Sequence, residues 1–189
     1  KASVEELKSL CQYLIDQAND LREGVKEDEN GVFKIEGGAE DVFSRASLGF
    51  DIASSLYPEL GGSYGKPKPV ILSELMCYTG ITGVYFPFTG EANVNIKVPH
   101  SSLPSTACHE MAHQRGFARE DEANYIAYLT CSLHPDVDFK YSGFLLALIN
   151  SMNALYRHNR ESYFKLQERY SEGLSRDLNY INEFWEKYE

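Results

Sequence analysis

The sequence predicts an α+β fold, dominated by helices, with a small sheet beside one central helix. Three observations predict it. Apolar residues recur at helical spacing over residues 4–21 and again over most of the stretch from 104 onward. Between them stands one β-branched and aromatic run, ITGVYFPFTGEANVNIKV, with Thr89-Gly90 at its middle like a turn. No internal repeat, low-complexity segment or linker interrupts the chain. Residues 1–189 therefore read as one domain, with N-terminal helices in 1–64, the sheet and a helix pair in 65–134, and a helical part in 135–189.

The elements follow in order. Val4, Leu7, Leu10, Cys11, Leu14, Ile15, Ala18 and Leu21 make one helical face, and Ser3 with Glu6 makes a capping box at its start. The polar, glycine-bearing KEDENGVFKIEGG reads as a loop. A second helix is expected from about Ala39 to Leu56, ended by Tyr57-Pro58 and Gly61-Gly62. KPKPVILSEL offers a short apolar run, read as a strand. Two more strands are expected, Gly83 to Phe88 and Glu91 to Val98. A helix should start near Pro104 and close at Gly116, since proline favours the first turn and glycine the position after the last. Another should span Arg119 to Leu133. Beyond His134-Pro135 helices are expected from about Phe139 to Tyr156, Arg160 to Leu174 and Ser175 to Tyr188. The last is amphipathic, with Leu178, Ile181, Phe184 and Trp185 on its packed face.

Composition excludes several function classes. Hydrophobic residues make up 43% and charged residues 24%, as in ordinary globular chains. The net charge of -10, from 18 basic and 28 acidic residues, argues against nucleic acid or an anionic membrane surface as main partner. No apolar run reaches the roughly 18 residues needed to cross a bilayer. The four cysteines, Cys11, Cys77, Cys108 and Cys131, form no CxxC pair, so a disulfide framework or zinc knuckle is not expected. Cys108 is read as a small buried apolar group.

The chemistry concentrates in HEMAHQRGFAREDEAN, His109 to Asn124. On a helix, residues four apart lie on one face. His109 and His113 can therefore offer imidazole nitrogens to a single ion, with Glu110 beside it. A bound divalent ion lowers the pKa of its water toward about 7, and a neighbouring carboxylate can take the proton. This is the physical content of HExxH. Ala107, Cys108, Met111 and Ala112 make the helix one that is buried, where an unpartnered pair of histidines and a glutamate would be costly. A catalytic zinc takes three protein ligands and keeps one open position. Gly116 fits a metzincin-like HExxHxxGxxH, but Arg119 stands where its third histidine belongs and cannot ligate. The third ligand is then a glutamate of the next helix, Glu120 or Glu122.

HExxH followed by a helix carrying E-x-x-A-N/D resembles the gluzincin zinc peptidases. The pattern here reads Glu120, Asp121, Glu122, Ala123, Asn124. The resemblance implies Glu120 as third ligand, with Glu122 as the alternative, and implies that Asn124 orients a histidine ring. Glu120, Ala123, Asn124 and Ala127 also share a helical face, while Glu122 points elsewhere. The stretches LMCYTGITGVYFPFTGEANVN, ACHEMAHQRGFAREDEANYIAYL and YSGFLLAL are further similar to an uncharacterised bacterial family, a domain of unknown function related to gluzincins. That resemblance implies a zincin-like architecture, Zn2+ as cofactor and a peptide or protein substrate. It also implies attachment to the bacterial membrane through segments not in this chain, with the domain outside the cytoplasm.

The leading expectation is a zinc-dependent peptidase with His109, His113 and Glu120 as ligands and Glu110 as base. The alternative is a metal-binding sensor or scaffold domain of a membrane protein with little turnover. A structural zinc site, closed by Cys108 or Glu122, is the third reading. An oxyanion donor is sought in Tyr141, Arg115 or Arg119, and Arg119 could equally pair with Asp121 or Glu122. An edge strand for substrate pairing is expected at Tyr85–Phe88 or Ala92–Ile96, with Glu91 and Asn93 at the rim. His100, His134 and His158 read as loop or surface residues.

Overall fold

The computed structural model describes residues 3–189. Helix α1 (Val4–Arg22) begins at the expected capping box, in which the Ser3 hydroxyl accepts the Glu6 N–H and the Glu6 carboxylate accepts the Ser3 N–H. The second predicted helix is two, α2 (Gly38–Arg45) and α3 (Ser47–Ala53), joined at Ala46. The break lets each piece follow a different neighbour. Arg45 is held by Asp41, Asp136 and Asp138, whereas Gly49 lies directly on the Thr130 carbonyl, where no side chain would fit.

The expected strand in KPKPVILSEL shrinks to β1 (Lys68–Pro69), followed by α4 (Ser73–Cys77). Pro67 and Pro69 remove two ladder donors. Ser73 then turns the chain, its hydroxyl donating to the Val70 carbonyl and accepting the Ile96 N–H. The hairpin strands, β2 (Gly83–Phe86) and β3 (Glu91–Val94), are shorter than predicted. Pro87 ends the first, and Asn95 ends the second by turning inward to the Ile81 carbonyl. The sheet runs β1-β3-β2, with β1 parallel and β2 antiparallel to β3. Ala92 and Val94 face the core, while Lys68, Val84, Phe86, Glu91 and Asn93 share the other face.

Helix α5 (Leu103–Gln114) runs through the middle of the molecule, and almost every residue of it is buried. Ser105, Ala107, Cys108 and Ala112 are small, which admits close neighbours on several sides. The sheet covers one side, and α6 (Glu120–Leu133) and α7 (Val137–His158) the others. Gly143 of α7 meets the Cβ of Cys131 so closely that alanine there would overlap it. Helix α8 (Arg160–Gln167) and α9 (Glu172–Glu186) complete the fold. The packed face of α9 includes Leu174 and Ile181, with Leu178 and Trp185 partly buried. It also carries the fully buried Asp177, which periodicity did not single out. No described helix is long and apolar enough to cross a membrane.

His134 lies in the α6–α7 connection, as expected of a loop residue, but it is not at the surface: it is fully buried, stacked on Phe139 at 3.8 Å. His100 is half-buried and accepts the Ile35 N–H, and His158 alone of the three is exposed.

Candidate metal centre

Helix α5 ends at Gln114, and Gly116 two residues on, with φ of 93°, turns the chain back toward α6. That short return brings the first turn of α6 against the last turn of α5. The Nε2 atoms of His109 and His113 stand 3.0 Å apart. Glu120 Oε2 lies 3.2 Å from the first and Glu120 Oε1 3.5 Å from the second. One ligand atom from each of these residues fits within 4.8 Å of the others.

The opposite ring nitrogens fix the tautomers. His113 Nδ1 lies 2.7 Å from the Phe117 carbonyl oxygen, which can only accept, so Nδ1 carries the proton. His109 Nδ1 lies 3.0 Å from Asn124 Oδ1, which likewise accepts. Both Nε2 atoms are thereby left with lone pairs aimed at one point, beside a carboxylate. Lone pairs so close repel unless a cation or proton lies between them, so this donor set fits a divalent ion. Burial, then the neighbouring imidazole of His113, lowers the pKa of His109, so a proton is disfavoured there.

Glu110, one residue on from His109, turns toward the sheet, under β2. It is 4% exposed, and its Oε2 has no hydrogen-bond partner. Burial, then the charge of Glu120, pushes its pKa up to about 8. Strand β2 lies on it: a Cβ added to Gly83 would stand 2.5 Å from Glu110 Oε1. Four residues on, Gln114 donates through Nε2 to the Gly90 carbonyl in the β2–β3 turn, at 2.9 Å. Gly83 and Gln114 escaped the sequence reading. A glycine inside a strand pattern was the available signal for the first.

Of the residues predicted for the site, the structure brings together His109, His113, Glu120 and Asn124, with Glu110 on the same helix. Glu122 faces a separate hollow with Tyr125 and Ile126. Cys108 is fully buried, and the thiol of Cys131 is pushed well up first by burial and then by the neighbouring Cys108. Tyr141 is a correction. It is fully buried, and its hydroxyl donates to Asp177 Oδ2 at 2.7 Å, beside Arg22 Nε at 2.6 Å from the same oxygen. It therefore ties α7 to α1 and α9 and has no free donor. Arg115 lies between the Phe50 and Tyr64 rings, donating to the Leu60 and Met111 carbonyls. Arg119 pairs with Asp121 at 2.6 Å. Glu91 and Asn93 lie on the sheet face turned from α5, with Glu91 paired to Lys68. The edge beside Glu110 is β2, since β3 is the central strand.

A family model described as a protein of unknown function (DUF3810) matches residues 1–189. No curated protein matches the chain, and no solved structure does.

Proposed function

Starting from the chain's membership of the DUF3810 family, we propose that it is a zinc-dependent peptidase of gluzincin type. The observation that carries this is the pairing of two features on one helix. His109 and His113 turn locked lone pairs to one point beside Glu120, and Glu110 holds an unpartnered buried oxygen one residue along. A purely structural site has no use for the second feature. Zinc would be held by His109 Nε2, His113 Nε2 and the Glu120 carboxylate, and it would supply Lewis acidity toward water and a peptide carbonyl.

The chain's own groups do the rest. Asn124 and the Phe117 carbonyl keep each imidazole in the tautomer that ligates. Glu110, its carboxylate basic because it is buried, takes a proton from water and returns it to the leaving amine. The edge of β2, hydrogen-bonded on one side only, offers its free backbone groups to an extended peptide. The peptide or protein substrate, and a setting outside the cytoplasm on a bacterial membrane, belong to the same proposal.

The test is metal content and cleavage of a proteome-derived peptide library by wild type and Glu110→Gln. The expected result is equal, stoichiometric zinc in both and cleavage reduced about 10²–10⁴-fold in the variant, the usual weight of a general base. Equal cleavage by both proteins would remove Glu110 from the reaction. Absence of bound zinc after dialysis against micromolar zinc would end the proposal.

A further inference from the structure

Among the described residues, the two most exposed large apolar side chains are Ile71, at 98%, and Phe88, at 91%. They stand at opposite ends of the sheet. Ile71 follows β1, beyond the point where the Val70 N–H donates to the Val94 carbonyl at the end of β3. Phe88 stands in the β2–β3 turn, its ring 5.8 Å from that of Phe86. Between them in sequence comes α4, whose Ser73 and Cys77 are buried while Leu75 and Tyr78, on its opposite side, are exposed. Val84 and Phe86 then face outward from β2. Tyr78, Phe86 and Phe88 alone leave about 400 Å2 of side chain in water, and the largest apolar patch of a monomeric protein is commonly about 300–600 Å2 in all.

Charge sets this stretch apart as well. Residues 75–90 contain no Asp, Glu, Lys, Arg or His, in a chain that is 24% charged. Residues 60–109 carry 2 acids, Glu74 and Glu91, against 3 lysines, Lys66, Lys68 and Lys97, which leaves +1. The rest of the chain carries the other 26 acids against 15 basic residues, which leaves -11. Lys68 neutralises Glu91. Lys66 is exposed and makes no ion pair among the described residues.

We infer that this face, α4 with the β2–β3 hairpin, rests in the headgroup layer of a lipid bilayer. A protein partner would have to present a separate pocket for each projecting side chain, whereas a bilayer receives any apolar side chain that projects into it. Tyrosine favours the headgroup level, and Lys66 can reach lipid phosphate along its apolar stem. The overall charge of -10 disfavours an anionic surface. That charge lies elsewhere in the chain, so repulsion turns the acidic remainder away from lipid phosphates and this face toward them. The inference goes beyond the peptidase reading and is argued from this surface alone; it gives the membrane setting of that reading a point of contact.

The test is flotation of the chain with vesicles of phosphatidylcholine and phosphatidylethanolamine. The wild type should float with the lipid, and high salt should not release it, since apolar contact holds it. Ile71→Ser with Phe88→Ser should lower the partition at least about tenfold, the weight of burying two such side chains. Leu56→Ser with Tyr125→Ser, exposed apolar residues elsewhere, should leave it unchanged. Urea midpoints of both variants should stay near the wild-type value, because none of the four side chains is packed. A wild type that stays with the aqueous fraction overturns the inference. So does equal loss in both variants, or no loss in the first. Sedimentation velocity separates the remaining occupant: a dimer abolished by Ile71→Ser with Phe88→Ser, without flotation, would give the face to a second copy of the chain. Flotation reads neither zinc nor cleavage, so this inference and the peptidase reading fail separately.

Discussion

Gly83→Ala probes the contact on which the proposed chemistry most depends. An alanine Cβ at residue 83 would lie 2.5, 2.6 and 2.7 Å from Oε1, Cγ and Cδ of Glu110. Ordinary contact begins at 3.4 Å, so the overlap is about 0.9 Å at the worst atom. Glu110 is 4% exposed, so its displacement disturbs packed neighbours. Either its carboxylate swings from its place or β2 lifts from α5. Overpacking of this kind costs about 1–3 kcal/mol, and misplacing a reacting group by about 1 Å costs on the order of 100-fold in rate. A Cβ at residue 83 meets none of His109, His113 and Glu120, which should keep their zinc. The assay is urea unfolding, zinc content and library cleavage on one preparation. Loss of stability and cleavage with zinc retained is expected. Full cleavage by a stable variant would show that Glu110 does not act from beneath β2.

Other outcomes follow from the same structure. Asn124→Ala should weaken zinc binding about 10–100-fold by releasing the His109 ring, Glu120→Gln should weaken it further, and Glu122→Gln should leave it unchanged, all measured by competition with a chromogenic chelator. Tyr141→Phe removes a buried donor from Asp177 and should cost about 1–3 kcal/mol in urea unfolding, while any cleavage rate per folded molecule stays at the wild-type value. In EDTA, stability should fall as pH drops below about 6.5, the unfolded histidine value. Burial lowers the pKa of His134, and its Nδ1 accepts the Asp136 N–H while Nε2–H donates to the Arg45 carbonyl, so the native ring stays neutral. Burial lowers His100 as well. Below the unfolded pKa the unfolded chain binds protons that the native chain refuses, and the loss continues down to the folded pKa. Unfolding curves at pH 7.5 and 5.5 that superimpose would contradict this.

Much of this architecture was legible because it is local. A capping box, a helical face and a proline–glycine frame each depend on residues within a few positions, so α1, α5 and α6 emerged close to their true bounds. The donor residues were legible for the same reason, since His109 and His113 share a helix face whatever surrounds them. KPKPVILSEL misled because apolarity suggested burial, yet Ile71 is 98% exposed. Its prolines outweighed its strand-forming side chains. The split of α2 from α3 depends on Asp136, Asp138 and Thr130, far along the chain, and no local pattern carries it. Tyr141 drew notice through its neighbours Ser142 and Gly143. The close approach they mark is between α7 and its packing partners: Ser142 bonds Ser105, and Gly143 meets Cys131.

The donors and the Glu110 carboxylate near them are assembled from different distances along the chain. His109, His113, Phe117, Glu120 and Asn124 come from one helix–turn–helix, so bringing them together closes only a short loop and costs little chain entropy. The roof over Glu110 is made by Gly83 and the Gly90 turn, from a separate hairpin that must find α5 across the intervening segment. The placing of the donors therefore answers to substitutions within one helix–turn–helix, whereas the placing of Glu110 answers also to substitutions in the hairpin.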